Sequence, residues 1–143
     1  MNANVDQLGH LQRKLAYETD SADLHAALDR GEPITVIDGR SAEAHSAEHI
    51  PGAISLPHRS ISAATAAALD KSSVLVCYCD GIGCNASTKT ALKLLELGFQ
   101  VRELIGGLDW WKRDGYPTHG SNGSIPVPSA INIVESSTGR AAR

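Results

Sequence analysis

Apolar and polar positions alternate between two periods along this chain. At Asn4 to Lys14, Val5, Leu8, Leu11 and Leu15 recur at three- and four-residue spacing, which predicts a short amphipathic helix. A polar passage, Ala16 to Thr19, follows. Asp20 or Ser21 can cap a second helix with an apolar stripe of Leu24, Ala27 and Leu28, and Gly31 ends it after Arg30. Beyond Pro33 the pattern changes: Ile34-Thr35-Val36-Ile37 is a β-branched run that predicts a buried strand. Ser41 to Ala47 predicts a short helix, His49 to Ala53 a turn, and Ala53 to Leu56 a short strand ended by Pro57. Alanine-rich Ile61 to Leu69 predicts another helix. Val74 to Tyr78 is the most strand-like run. Asn85 to Leu97 predicts a helix ended by Gly98, and Val101 to Ile105 a strand. Gly106-Gly107 then leads into a short helix with Trp110 and Trp111.

Strands alternating with helices predict an α/β domain with a largely parallel sheet. The compact part is expected to end near Pro117. Thr118 to Arg143 is rich in Ser, Gly, Pro and Asn and reads as a polar tail, with Ala130 to Val134 as a candidate edge strand. The expected organisation is an N-terminal helical extension over 1–18, a domain over 19–117 and a tail over 118–143.

Length and composition narrow the class. A chain of 143 residues is the size of one ordinary domain and needs no staple to hold a core. A formal net charge of -3 with no basic cluster argues against nucleic acid or an anionic membrane as partner. No apolar run approaches the roughly 20 residues of a membrane span. Met1 to Leu15 lacks the apolar core of a signal peptide, so a cytoplasmic protein is expected.

The three cysteines, Cys77, Cys79 and Cys84, stand together while the rest of the chain has none. In a reducing compartment such a cluster suggests thiol chemistry or a metal. The predicted strand delivers Cys79 to the carboxyl edge of the sheet, where open α/β sheets bind ligands. The loop Asp80, Gly81, Ile82, Gly83, Cys84, Asn85 then turns into a helix. Glycines at 81 and 83 permit positive φ and convergent backbone N–H groups, and the helix start adds its own. A cysteine in such a cradle is expected to be a thiolate nucleophile beside an anion site. The competing reading is an inert cysteine ending a core strand. Cys77, inside the strand, reads as a small core hydrophobe. Cys84 is left open among a resolving thiol, a second sulfur carrier and a plain loop residue. No metal is expected, because the Cys-x-Cys-x4-Cys spacing lacks a fourth ligand. No cofactor is called for.

These segments, in this order, resemble the rhodanese-like family over about Thr19 to Pro117. Ile34 to Arg40 resembles the family strand ending in Asp-x-Arg. Glu48-His49-Ile50-Pro51-Gly52-Ala53 resembles its Gly-His-Ile-Pro-Gly-Ala motif, with Glu48 at the glycine. Val74 to Cys79 resembles the strand presenting the active cysteine. Leu97-Gly98-Phe99 and Leu104 to Trp110 resemble the closing strand, glycine pair and tryptophan helix.

The resemblance implies a five-stranded, largely parallel sheet flanked by helices, here with an extra N-terminal helix. It implies a sulfurtransferase that carries sulfane sulfur as a persulfide on Cys79. The expected partners are a small sulfur-donor anion or persulfide donor, and a thiol, protein or cyanide-like acceptor. The loop departs from the family pattern Cys-x-x-Gly-x-Arg-Ser. Five residues after Cys79 stands Cys84, and counting back from Gly98-Phe99 puts Ala86 at the arginine and Ser87 at the serine. An arginine there would grip the donor with a bidentate fork. Its loss leaves backbone N–H groups as the main anion binders, with Lys89 as a point charge or a plain surface residue. Relatives with longer loops include phosphatases.

Asp38, Arg40 and His58 are candidates for shaping the pocket. For Asp38 and Arg40 a structural ion pair, with Glu43 or Glu48, is the favoured alternative. His49 is expected to hydrogen-bond a loop backbone, and His58 with Arg59 to steer anions. Trp110 is expected to cap the core and Trp111 the surface. The rival functions are a non-catalytic interaction or regulatory module, a thiol-redox protein using Cys79 and Cys84, and a phosphatase- or arsenate-reductase-like enzyme.

Overall fold

The computed structural model describes residues 3–125. The elements, in order, are α1 (Ala3–Tyr17), β1 (Glu18–Thr19), α2 (Ser21–Asp29), β2 (Ile34–Asp38), α3 (Ala42–Ala47) and β3 (Ile54–Ser55). A 3₁₀ turn (His58–Ser60) follows, then β4 (Val74–Tyr78), α4 (Ala86–Glu96), β5 (Gln100–Leu104) and α5 (Gly107–Arg113). The five strands form one parallel sheet in the order β1-β5-β4-β2-β3, so β4 lies at the centre.

The period-2 alternation of β4 sorts the core. Val76 and Tyr78 join Leu24 of α2, Leu108 and Trp111 of α5, and Ile50 on one face of the sheet. Leu75 and Cys77 join Ala91 and Leu94 of α4, and Phe99, on the other. Both faces are thus covered, as a parallel sheet requires.

Four expectations are corrected. Residues 61–69 form successive turns rather than a helix. Ser62 and Thr65 bind local backbone: the Ser62 amide donates to Thr65 Oγ1 at 2.8 Å, and Thr65 Oγ1 donates to the Ser60 carbonyl at 2.7 Å. Such bonds compete with a helical ladder. The polar passage Ala16 to Thr19 instead extends α1 and supplies an edge strand pairing Glu18 with Glu103 and Thr19 with Leu104. The tryptophans exchange places: Trp111 is buried with its Nε1 donating to the Pro117 carbonyl at 2.9 Å, whereas Trp110 is exposed. Leu108 and Trp111 are three residues apart on one helical face, and that phase decides it.

The compact part also runs past Pro117. Thr118 is 2% exposed, and His119 and His49 exchange two backbone hydrogen bonds of 2.9 Å. The amides of Ser121 and Asn122 donate to the carbonyls of Ser46 and Ala47 at the open end of α3. Glu48 fastens this segment, accepting from Thr118 Oγ1 at 2.6 Å and Lys112 Nζ at 2.9 Å. The candidate strand Ala130 to Val134 lies outside the described residues. The apolar stripe predicted for α1 is present, but Val5, Leu8, Leu11 and Leu15 are exposed.

Candidate active site

The site lies at the carboxyl ends of β4 and β2, which are paired in register from Ile34–Val74 to Asp38–Tyr78. Asp38 is fully buried and its carboxylate is saturated. It accepts from Arg40 Nε at 3.0 Å, Arg40 Nη2 at 2.8 Å, the Arg40 amide at 3.0 Å and Tyr78 Oη at 3.0 Å. His45 Nδ1 lies 2.9 Å from it. Burial would raise the carboxyl pKa, but the Arg40 hydrogen bonds and charge, with His45, hold it below its ordinary value. Burial lowers the Arg40 pKa, and its bonds to Asp38 and Asp80 more than reverse this, so Arg40 stays charged.

Arg40 continues from Asp38 to the loop. Its Nη1 donates to Asp80 Oδ1 at 3.1 Å and its Nη2 to the Glu48 carbonyl at 2.5 Å. The ion pair expected at Asp38–Arg40 is formed with Asp80 as the further acid. Glu48 contributes a carbonyl, and Glu43 takes no part in it. His49 binds backbone as expected, with Nδ1 2.6 Å from the His45 carbonyl and its ring stacked on that of His45.

The loop after β4 is held from the side by α5. The Cys79 carbonyl accepts from the Leu108 amide at 2.9 Å, and the Asp80 carbonyl from the Asp109 amide at 2.8 Å. A Cβ on Gly107 would lie within 2.4 Å of the Cys79 carbonyl oxygen and 2.8 Å of the Gly81 nitrogen, so only glycine fits. Of the two loop glycines, Gly83 alone has a positive φ, +93°. Gly81 serves close packing instead, since a Cβ there would meet Asp109 at 3.1 Å.

The turn at Gly83, closed by the Cys84 amide donating to the Gly81 carbonyl at 3.2 Å, returns the chain toward Cys79. Cys79 and Cys84 are joined by a disulfide, with Cα atoms 6.2 Å apart. Among the described residues, the amides of Asp80, Gly81, Ile82 and Gly83 reach no acceptor. Asn85, the N-cap of α4, makes no side-chain capping bond, so the first-turn amides of α4 are left open as well.

Cys79, Cys84 and Asp80 line a cleft of about 380 Å³ together with Arg40, His58 and Arg59. The 3₁₀ turn places His58 and Arg59 across from the cysteines, and Lys93 Nζ donates to the His58 carbonyl at 2.6 Å. Partial burial, with the charges of Lys89, Lys93 and Arg59, pushes the His58 pKa below its ordinary value. Arg59 thus sets a positive charge on this rim, while Asp80 sets a carboxylate, paired with Arg40, in the same lining. Cys77 faces the core, and burial with the charge of Glu103 pushes its thiol up to about 12. Donor atoms of Cys79, Asp80 and Cys84 lie within 4.8 Å of one another, and no fourth ligand joins them among the described residues.

Two contributors carry no signal in the sequence, and a third, Glu48, is named there with a different partner. The amides of Leu108 and Asp109 clamp the loop, but backbone bonds leave no residue-type signal. Glu103 accepts from Thr88 Oγ1 at 2.6 Å and Ser87 Oγ at 3.3 Å, fixing the start of α4. Glu48 departs from the family glycine in the sequence, but its partner Thr118 lies in the segment whose composition reads as a polar tail. A larger apolar groove of about 620 Å³, between α4 and β5, holds neither cysteine.

The family model described as the Rhodanese-like domain matches residues 20–114. The chain belongs to this family. The BH2092 protein from Bacillus halodurans is 40% identical, covering 94% of this chain and 100% of that one, with a TM-score of 0.80. The Rhodanese-like domain from the Anabaena protein Alr3790 is 31% identical over 73% of this chain and 80% of that one, at a TM-score of 0.64. Thiosulfate sulfurtransferase from Pseudomonas aeruginosa is 23% identical, covers 73% of this chain and 20% of its own, and has a TM-score of 0.63; it shares the fold. No curated protein matches the chain. Among the described residues no helix is long and apolar enough to cross a membrane.

Proposed function

We propose that this rhodanese-like protein is a sulfurtransferase that carries sulfane sulfur as a persulfide on Cys79. The observation that carries the reading is the setting of Cys79. It directly follows the central parallel strand, opens on a cleft that Arg59 also lines, and is followed by a loop with four unpartnered amides running into an uncapped helix start. Reduced Cys79 would attack the sulfane sulfur of a donor anion such as thiosulfate, expelling sulfite. The amides of Asp80 to Gly83 and the start of α4, from Asn85 onward, would stabilise the persulfide anion. Transfer to an acceptor thiol in the cytoplasm completes the cycle.

The loop arginine of the family has no spatial replacement in Arg40, whose guanidinium is spent on Asp38, Asp80 and the Glu48 carbonyl. Arg59 on the opposite rim is the charged side chain left to attract the donor, His58 lines the same cleft, and Arg40 with Asp38 positions the loop. Incubating the reduced chain with thiosulfate, and separately with glutathione persulfide, tests the reading. The intact mass should gain one sulfur atom or the solution should gain sulfide, and neither should occur in Cys79→Ser. No sulfur transfer with either donor in the wild type sinks it.

A second reading, a thiol-redox protein cycling Cys79 and Cys84, is favoured by the disulfide itself. Loss of two hydrogens under mild oxidant, requiring both cysteines and with no sulfur transfer from either donor, would establish it instead.

A further inference from the structure

We propose that Cys84 discharges the Cys79 persulfide as sulfide, closing the Cys79–Cys84 disulfide. The proposal rests on the persulfide reading of Cys79 and assigns the protein a second product, free sulfide.

Three observations lead there. First, the disulfide shows that Cys84 reaches the sulfur that would carry the persulfide, and the 6.2 Å Cα separation lies within the range of ordinary disulfides. Secondly, both cysteines line one cleft, in which Cys79 is 3% exposed. An outside thiol must enter that cleft, whereas Cys84 is held beside it at an effective concentration on the order of millimolar or more. Thirdly, the loop carries a thiol, Cys84, and no arginine, while Arg40 is occupied by Asp38 and Asp80. A persulfide here has lost a counter-cation and gained a nucleophile, which favours discharge over storage.

The step balances within the loop. The Cys84 sulfur attacks Sγ of Cys79 and forms the S–S bond between them. The bond from Cys79 Sγ to the outer sulfur breaks, and its electron pair leaves with that sulfur. The Cys84 thiol proton ends on the departing atom, giving HS⁻. The two cysteine thiols are oxidised to a disulfide, and the sulfane sulfur is reduced to sulfide. An external dithiol reductant then returns the pair to thiols, so each turnover with thiosulfate consumes one dithiol and yields sulfite and sulfide.

The test uses the reduced full chain, loaded with thiosulfate or with glutathione persulfide, freed of excess donor and left without any acceptor thiol. Released sulfide and intact mass are followed together, with Cys79→Ser as the background. The wild type should release about one sulfide per chain and become two hydrogens lighter than the reduced protein. Cys84→Ser and Cys84→Ala should retain the one-sulfur adduct and release sulfide about tenfold more slowly, or worse. A wild-type adduct that persists, or equal release from the Cys84 variants, overturns the proposal while leaving the sulfurtransferase reading intact. Absence of any adduct in the Cys84 variants together with absence of sulfide from the wild type removes both.

Discussion

At the scale of single residues, the three cysteines divide by environment. Cys77 packs among Leu75, Ala91 and Leu94 under α4, and its thiol is pushed up to about 12 by burial and by Glu103. At neutral pH it is almost wholly protonated, and a protonated thiol is a poor nucleophile. After reduction, iodoacetamide at pH 7.5 should modify Cys79 and Cys84 and leave Cys77 free, as peptide mass mapping would show. Labelling of Cys77 at a comparable rate would contradict its burial. Asp38 offers a second case. Its folded pKa is held below the ordinary value of 3.8, chiefly because Arg40 outweighs the burial that would raise it. A carboxylate of that kind adds stability above its unfolded pKa, and that stability is lost as pH falls through the folded value. Urea denaturation should therefore show the wild type weakening below about pH 4. Asp38→Asn, which leaves the buried Arg40 short of its partner, should lose about 3 kcal/mol at pH 7. The gap between variant and wild type should narrow at low pH.

At the scale of elements, the site depends on how closely α5 approaches the loop after β4. Gly107 has φ +57°, and a Cβ on it would collide with the Cys79 carbonyl and the Gly81 nitrogen. Two backbone bonds, from Leu108 and Asp109, depend on that approach. Gly107→Ala should cost on the order of 2–4 kcal/mol, combining left-handed backbone strain with overpacking. Sulfur transfer by Cys79 should fall even under conditions where circular dichroism shows the variant folded. Retained stability in chemical denaturation would mean that the loop and α5 can separate freely. The sequence shows the glycine pair 106–107 leading into a short helix, but not that Gly107 meets the Cys79–Gly81 backbone, because that contact joins distant segments.

At the scale of the molecule, Glu48 joins parts of the chain that the sequence reading kept apart. Burial would raise its pKa, but bonds from Thr118 and Lys112, with the charges of Lys112 and Arg40, hold it below 4.5. By the same sign rule its contribution is present at neutral pH and disappears on acidification. Glu48→Ala should cost about 1–2 kcal/mol for the two lost hydrogen bonds. It should also speed proteolysis within residues 118–125 at pH 7, read by mass spectrometry of limited digests. Unchanged cleavage there would show that the backbone bonds to α3 suffice.

The amino-acid sequence by itself determined the alternation of strands and helices, because β-branched runs, helical spacing and glycine stops act over a few residues. It also determined the family, since a set of ordered short motifs survives local substitution. The location of Cys79 at a strand end followed from the same local signals. Tertiary structure alone decided the rest. Residues 61–69 lost their predicted helix to side-chain bonds from Ser62 and Thr65. The phase of α5 on the sheet chose Trp111 over Trp110 for the core. Asp80 became the further partner of Arg40, and Cys84 became the partner of Cys79, because a turn at Gly83 folds the loop back on itself. Such pairings depend on which distant atoms meet in space, and no local pattern of hydrophobic and polar residues encodes that.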